Sequence, residues 1–431
     1  MREFQVIHNI ASRLASKAAI LLCLMSLCIA SADAVTEATM GIEKLKEGSS
    51  VGTVEVRGVM AGSFNPELWN QARFNLVPDT RNPLLAPLPG KNRNIYAPSA
   101  VEVGNGWRLF YCAWDGVATG NDRIYSVMTS DFLSFSERHT VIENGDFVHV
   151  CNVNAIRLPD NSLSMICTAY PDKDGLNKPA FFSSPDGNIW NKSSSPYSAT
   201  HSDIVSLDGY EVYPQADING MNVILFEEGQ YRLYFANFRD FGKIYRASST
   251  DGKQYTFEGK VLDKSAAVND VKKFRVGEET WYLMGLHMNC NLMWYTLSQN
   301  PSDFPEPKQL ASSFNAGERY IVALGWVVQG EQEEQGRRLL GVLYGAGYHH
   351  GLAGNRIFAR WLQKRVVFRA ADGREFEGAS ALGPDRQILS LSKGEEIAGT
   401  LQVYSEDGHT LLVEFPEQVL TEGAVYQLTI P

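Results

Sequence analysis

Long apolar runs are nearly missing from this 431-residue chain. The one present, Ala18 to Ala30 (AAILLCLMSLCIA), has 13 residues, too few to cross a bilayer comfortably, and nothing later approaches it. Arg2, Arg13 and Lys17 precede it, and Ala32-Asp33-Ala34 follows with small residues at the spacing of a cleavage site. Residues 1–34 therefore read as a secretory signal, and the mature protein as secreted or periplasmic with no membrane span. Basic charge is also in short supply. Taking Arg2, Arg13, Lys17, Glu3 and Asp33 away from 39 basic and 49 acidic residues leaves 36 and 47, a net of −11. An acidic surface without a basic stripe argues against nucleic acid as a partner. Cysteines are few: Cys112, Cys151, Cys167 and Cys290 remain after the leader, too irregularly spaced for a disulfide framework or a metal motif. No His-x-x-x-His pattern occurs, which disfavours a zinc hydrolase, and no cofactor or metal site is expected.

What the chain does have is a repeat. A Ser or Thr is followed two places on by Asp or Asn and six places on by an aromatic, at Thr129–Phe135, Ser184–Trp190, Ser249–Tyr255 and Ser298–Phe304. The starts lie 55, 65 and 49 residues apart, a spacing expected of propeller blades. Each copy follows three short β-like runs, such as Ala97–Val103, Trp107–Trp114 and Arg123–Thr129, punctuated by turn residues. A fifth set, Tyr320–Gln329, Arg338–Tyr344 and Arg356–Trp361, keeps the rhythm without the motif. The Asp or Asn of each motif is read as a turn cap and the aromatic as packing between blades. This predicts an all-β chain: a five-bladed β-propeller over 91–368 and a small C-terminal β accessory domain over 369–431. Residues 35–90 are a lead-in whose stretch Val51–Met60 is expected to supply an outer strand.

Asn82-Pro83-Leu84-Leu85, Ala97-Pro98-Ser99 followed by Trp107–Tyr111, and the four turn motifs together resemble glycoside hydrolase family 43 and its relatives in families 32, 117 and 130. The resemblance spans about residues 80–368 and implies a five-bladed propeller glycosidase acting on poly- or oligosaccharide. It also implies an aspartate base at the mouth of the first inner strand, where this chain has Ala97. Three readings stay open: a base from elsewhere, a phosphorylase that lets phosphate attack, or a sugar-binding propeller without catalysis.

Inverting glycoside hydrolysis needs a carboxylic acid for the leaving oxygen and a carboxylate to activate water. At strand ends facing a central funnel the candidates are Asp270, opening the inner strand of the fourth blade, Asp217, just before the third inner strand, and Asp115, after Trp114. Turn capping competes at each. Asn94, Asn154, Asn222 and Asn269 recur at the blade mouths and offer the paired donor and acceptor that sugar hydroxyls require. Trp114 and Tyr96 offer stacking faces, Arg239 an anion clamp and His287 a proton carrier.

Overall fold

The computed structural model describes residues 43–46, 52–88, 93–114, 121–170, 177–192, 195–210, 222–237, 242–330, 335–348, 354–378, 380–391, 396–421 and 423–430. These are nearly all β, with one five-residue helix, Pro66–Asn70, and two three-residue 3-10 turns. None of the described helices is long and apolar enough to cross a membrane.

Five sheets follow one another along the chain, each built outward from an inner strand by antiparallel neighbours. Their inner strands are Asn94–Val103, His149–Arg157, Asn222–Glu227, Ala267–Val276 and Tyr320–Gln329. Each contacts the next, and the fifth contacts the first, so the five close into a ring. The ring is sealed between chain ends far apart in sequence. Leu76–Pro78 pairs with Arg356–Leu362 as the outer strand of the fifth sheet. Among the described residues the second sheet has three strands. The segment after it lends Tyr197–Ser198 to the first sheet's outer edge and Ser206–Asp208 to the third's, both in parallel pairing.

The repeated motif behaves as its chemistry suggests. Asp131, Asp186 and Asp251 each accept two backbone N–H groups through Oδ1, from the residues two and three places on. The hydroxyl of Thr129, Ser184 or Ser249 takes the N–H groups before them. Backbone donors that the turn would otherwise leave unpaired are thereby satisfied. Each aromatic then reaches the preceding sheet. Trp190 stands edge-on to Phe110, with ring centroids 5.7 Å apart, and Phe304 likewise meets Tyr234 at 6.2 Å. Tyr255 packs with Ile156 and Ile166 of the second sheet, and Phe135 with residues of the fifth. The same bonding recurs at Ser405–Thr410, where Asp407 accepts from His409 and Thr410 and Leu411 stands in the aromatic's place. The motif is a hairpin device first and a mark of the ring second.

The stretch Val51–Met60 does not supply an outer strand to the ring. Its strand, Thr53–Arg57, runs parallel to Val425–Thr429 and antiparallel to Arg386–Ser390. The reason is its alternation: Val54 and Val56 point to one face and are fully buried against Phe368, Leu401 and Leu428. A second sheet, built from Arg365–Ala370, Glu375–Glu377, Glu396–Tyr404 and Leu411–Thr421, shares that core. The four cysteines among the described residues, Cys112, Cys151, Cys167 and Cys290, are free thiols, the first three of them buried.

Candidate functional site

An inner strand has a neighbour on one edge only, so its axial edge carries backbone N–H groups that no sheet satisfies. Side chains from adjacent sheets meet them. Ser99 Oγ accepts from Ala155 N at 2.9 Å, and Asn154 Oδ1 from Ile224 N at 2.9 Å. Asp270 Oδ2 accepts from Trp326 N at 3.0 Å, while its Oδ1 takes Asn154 Nδ2 at 3.1 Å. The Lys272 ammonium lies 3.4 Å from the same Oδ1, and both members of this pair are buried. Where Gly325 of the fifth sheet crosses the first, there is no room for a side chain on it: a Cβ there would lie 2.2 Å from the Pro98 carbonyl. The axis is thus stitched by polar bonds that touch all five sheets.

This placement revises several of the expected roles. Asp270 is 1% exposed with both oxygens engaged, so it ties the second, fourth and fifth sheets instead of facing a glycosidic oxygen. Asn154 is spent in the same network. Asn94 Oδ1 accepts from Asn355 N, joining first and fifth sheets, and Asn222 Nδ2 donates to Thr168 Oγ1, joining third and second. These three asparagines are ties between sheets, because an amide answers an orphaned N–H as well as it answers a sugar hydroxyl. Asn269 and His287 do come together. Asn269's amide lies 2.8 Å from Nδ1, and Nε2–H donates to Asn289 Oδ1 at 3.0 Å. Trp114 is half-buried at the end of its strand. Asp115, Asp217 and Arg239 lie outside the described residues.

At the mouth, four described inner strands carry a bulge near their start: between Tyr96 and Ser99, Cys151 and Asn154, Val268 and Asp270, and Ile321 and Ala323. Ala97, where the resemblance implies an aspartate, is buried in the first of these with φ +49°. Asn152 takes the matching place in the second, with φ +56°. Such bulges re-aim the side chains beside them.

Beside them stands a cluster that sequence reading did not single out. Asp122, 6% exposed, accepts the Tyr96 hydroxyl at 3.0 Å and His149 Nδ1 at 2.8 Å through one oxygen, Oδ2. The Asp122 backbone N–H also points at Nδ1, at 3.3 Å, but the shorter contact to Oδ2 needs a proton between the atoms, so Nδ1–H donates to the carboxylate and, in the neutral ring, Nε2 carries the lone pair. The ring of Tyr170 stands edge-on to His149, centroids 5.2 Å apart. Burial, with the Asp122 charge behind it, holds the Tyr96 hydroxyl well above its ordinary pKa, and burial does the same for Tyr170, so both stay neutral donors. His149 keeps about a quarter of its side chain exposed. A carboxylate that orients an imidazole whose other nitrogen is available is an acid–base device. Asp122 precedes a third strand, whereas the carboxylates expected from the sequence lie at the ends of first and second strands.

His287 is a different case. Burial depresses its pKa from 6.5 to about 4. The unfolded chain then takes up a proton first as pH falls, so stability is complete above about pH 6.5 and is lost toward pH 4. The full loss is about 3 kcal/mol. Urea midpoints measured over that window should fall more steeply for the wild type than for His287→Gln. Equal slopes would show that the imidazole is not held neutral.

No protein family model matches the sequence, and no curated protein is similar to it. Solved structures are similar at low identity. A glycosyl hydrolase from Bacteroides ovatus matches with a TM-score of 0.46 and 12% identity, over 69% of this chain and 96% of that one. A structure from the GH130 family of mannoside phosphorylases, which contains glycoside hydrolases that target β-1,2-mannosidic linkages in Candida mannan, matches at 0.48 and 13%, over 70% and 96%. The catalytic domain of the Coprinopsis cinerea GH62 α-L-arabinofuranosidase matches at 0.42 and 13%, over 74% and 98%. Likeness at this level says nothing of the reaction, which has to be read from the site.

Proposed function

We propose that the protein is an exported five-bladed β-propeller with a β-rich accessory unit, acting as a glycoside hydrolase on poly- or oligosaccharide. The leader-like residues 1–34 support export. The closed ring of five sheets, sealed by Leu76–Pro78, supports the propeller. The accessory unit pairs Thr53–Arg57 with strands beyond residue 365.

The observation that carries the reaction is the Asp122–His149 pair at the mouth, at 2.8 Å. In this reading His149 Nε2 takes the proton of an attacking water while Asp122 holds the ring and stabilises the imidazolium. Asp115 and Asp217 are the candidates for the acid that protonates the leaving oxygen. Their segments adjoin Trp114 and Asn222, the ends of strands that lead to the same mouth. Ala97 favours a second reading, a phosphorylase, in which phosphate attacks and no base is needed.

A library of aryl glycosides and natural oligosaccharides, incubated with and without phosphate, separates the readings. Hydrolysis in phosphate-free buffer is expected. Products that appear only with phosphate identify a phosphorylase. Sugar binding without any product identifies a non-catalytic propeller and ends the hydrolase reading.

A further inference from the structure

The most exposed large apolar side chain among the described residues is Phe314, at 69%. It does not stand alone. Met288 and Tyr348 are exposed at 40% and 54%, and the three belong to one rim. Met288 follows Glu279–His287 and Tyr348 follows Arg338–Gly347, second strands whose antiparallel partners start at the mouth. Phe314 follows Lys308–Ser312, an outer strand that returns the same way. Backbone contacts draw these ends together. Ile321 N donates to the Cys290 carbonyl and Ser313 N to the Asn291 carbonyl, both at 2.8 Å, and Tyr320 is paired with Gly347. The rim is continuous with the mouth, since Asn289 accepts from His287, and Val322 shares a packed core with Tyr96.

Polar groups are interleaved with the apolar ones. Asn289 is exposed and spends its Oδ1 on His287, so its NH2 is a donor with no partner among the described residues. Arg319 is exposed and lays its guanidinium over the Tyr320 ring, 5.5 Å from the centroid. Single exposed apolar side chains are ordinary, but several gathered beside a binding mouth mark a contact surface. A protein partner needs about 20–30 residues a side, and this rim offers far fewer. A pyranose ring fits its chemistry: C–H groups cover the faces of the sugar and hydroxyls its edge. Laying such a face on Phe314 and Tyr348 takes apolar surface of both partners out of water, while the edge hydroxyls accept from amide and guanidinium donors.

We propose that this rim is a subsite flanking the mouth, where a pyranose ring of the same saccharide chain stacks beyond the unit held at the mouth. The protein then selects an oligosaccharide over a single sugar. This rests on the saccharide reading of the mouth and not on hydrolysis there.

The test is calorimetric titration of the full-length protein with cellohexaose, mannohexaose and xylohexaose, and with glucose, mannose and xylose. At least one hexaose is expected to bind, about tenfold or more tightly than its monosaccharide. Phe314→Ala and Tyr348→Ala, both at exposed positions, should each weaken the hexaose about tenfold and leave unfolding midpoints unchanged, whereas Phe314→Trp should keep the affinity. Absence of binding by all three hexaoses overturns the proposal, as does a hexaose affinity indifferent to both alanines. A dimer in sedimentation that Phe314→Ala dissociates also overturns it and gives the rim to a second copy of the chain. The hydrolase reading fails separately. A hexaose held through the rim but never cleaved ends that reading and leaves this one, and cleavage at unchanged rates in both alanine variants does the reverse.

Discussion

Replacing Asp270 by alanine is expected to lower the stability of the protein by about 3–5 kcal/mol, the cost of stranding a buried charge. Three groups lose their acceptor at once. Lys272, an ammonium at 3% exposure, loses its contact with the Asp270 carboxylate, Trp326 N loses its acceptor on the axial edge of the fifth sheet, and Asn154 Nδ2 loses its oxygen. Asp270→Asn keeps one oxygen but must turn its NH2 toward a donor, so it should fall between wild type and alanine. Asn154 cannot relieve this by turning over, since its own Oδ1 is committed to Ile224 N. Pairing Asp270→Asn with Lys272→Met removes both charges and should recover part of the loss, because an uncharged pair carries no penalty for burying ions. Urea unfolding of the wild type, Asp270→Asn, Lys272→Met and the double variant measures the cycle. If Asp270→Asn instead keeps its midpoint while turnover vanishes, Asp270 is a catalytic acid after all and the axial network is incidental.

The contrast between Asp270 and the turn aspartates shows what the sequence makes legible. Strand positions were readable because alternation and turn residues are local: Arg123–Thr129 and Tyr320–Gln329 fall where the pattern puts them. The turn roles of Asp131, Asp186 and Asp251 were readable for the same reason, since donor and acceptor sit within three residues. The bonds of Asn94, Asn154 and Asn222 were not readable because their partners lie 261, 70 and 54 residues away, and only ring closure decides which group each meets. Asp122 and His149 are 27 residues apart and belong to different sheets. Neither carries a motif, and their meeting depends on how the first two inner strands are set side by side. Leu76–Pro78 was missed because three residues are too few to show a period.

The hydrolase reading stands or falls on His149. On whichever saccharide the wild type cleaves, His149→Gln should reduce kcat/KM by about 10²–10⁴-fold, the range for loss of a general base. Glutamine can still accept from a donor at the ring's place, so substrate binding should survive and the loss should fall on kcat. Asp122→Asn should come close to the same deficit by another route. Its amide either presents NH2 to Nδ1, which forces the proton onto Nε2 and leaves no base, or buries that NH2 where Asp122 Oδ1 now lies without a hydrogen-bond partner. The first outcome removes activity with little change in stability, and the second lowers both. Activity of His149→Gln within a few-fold of wild type, together with a requirement for phosphate, would instead leave the attack to phosphate and assign the pair at the mouth to orienting the sugar.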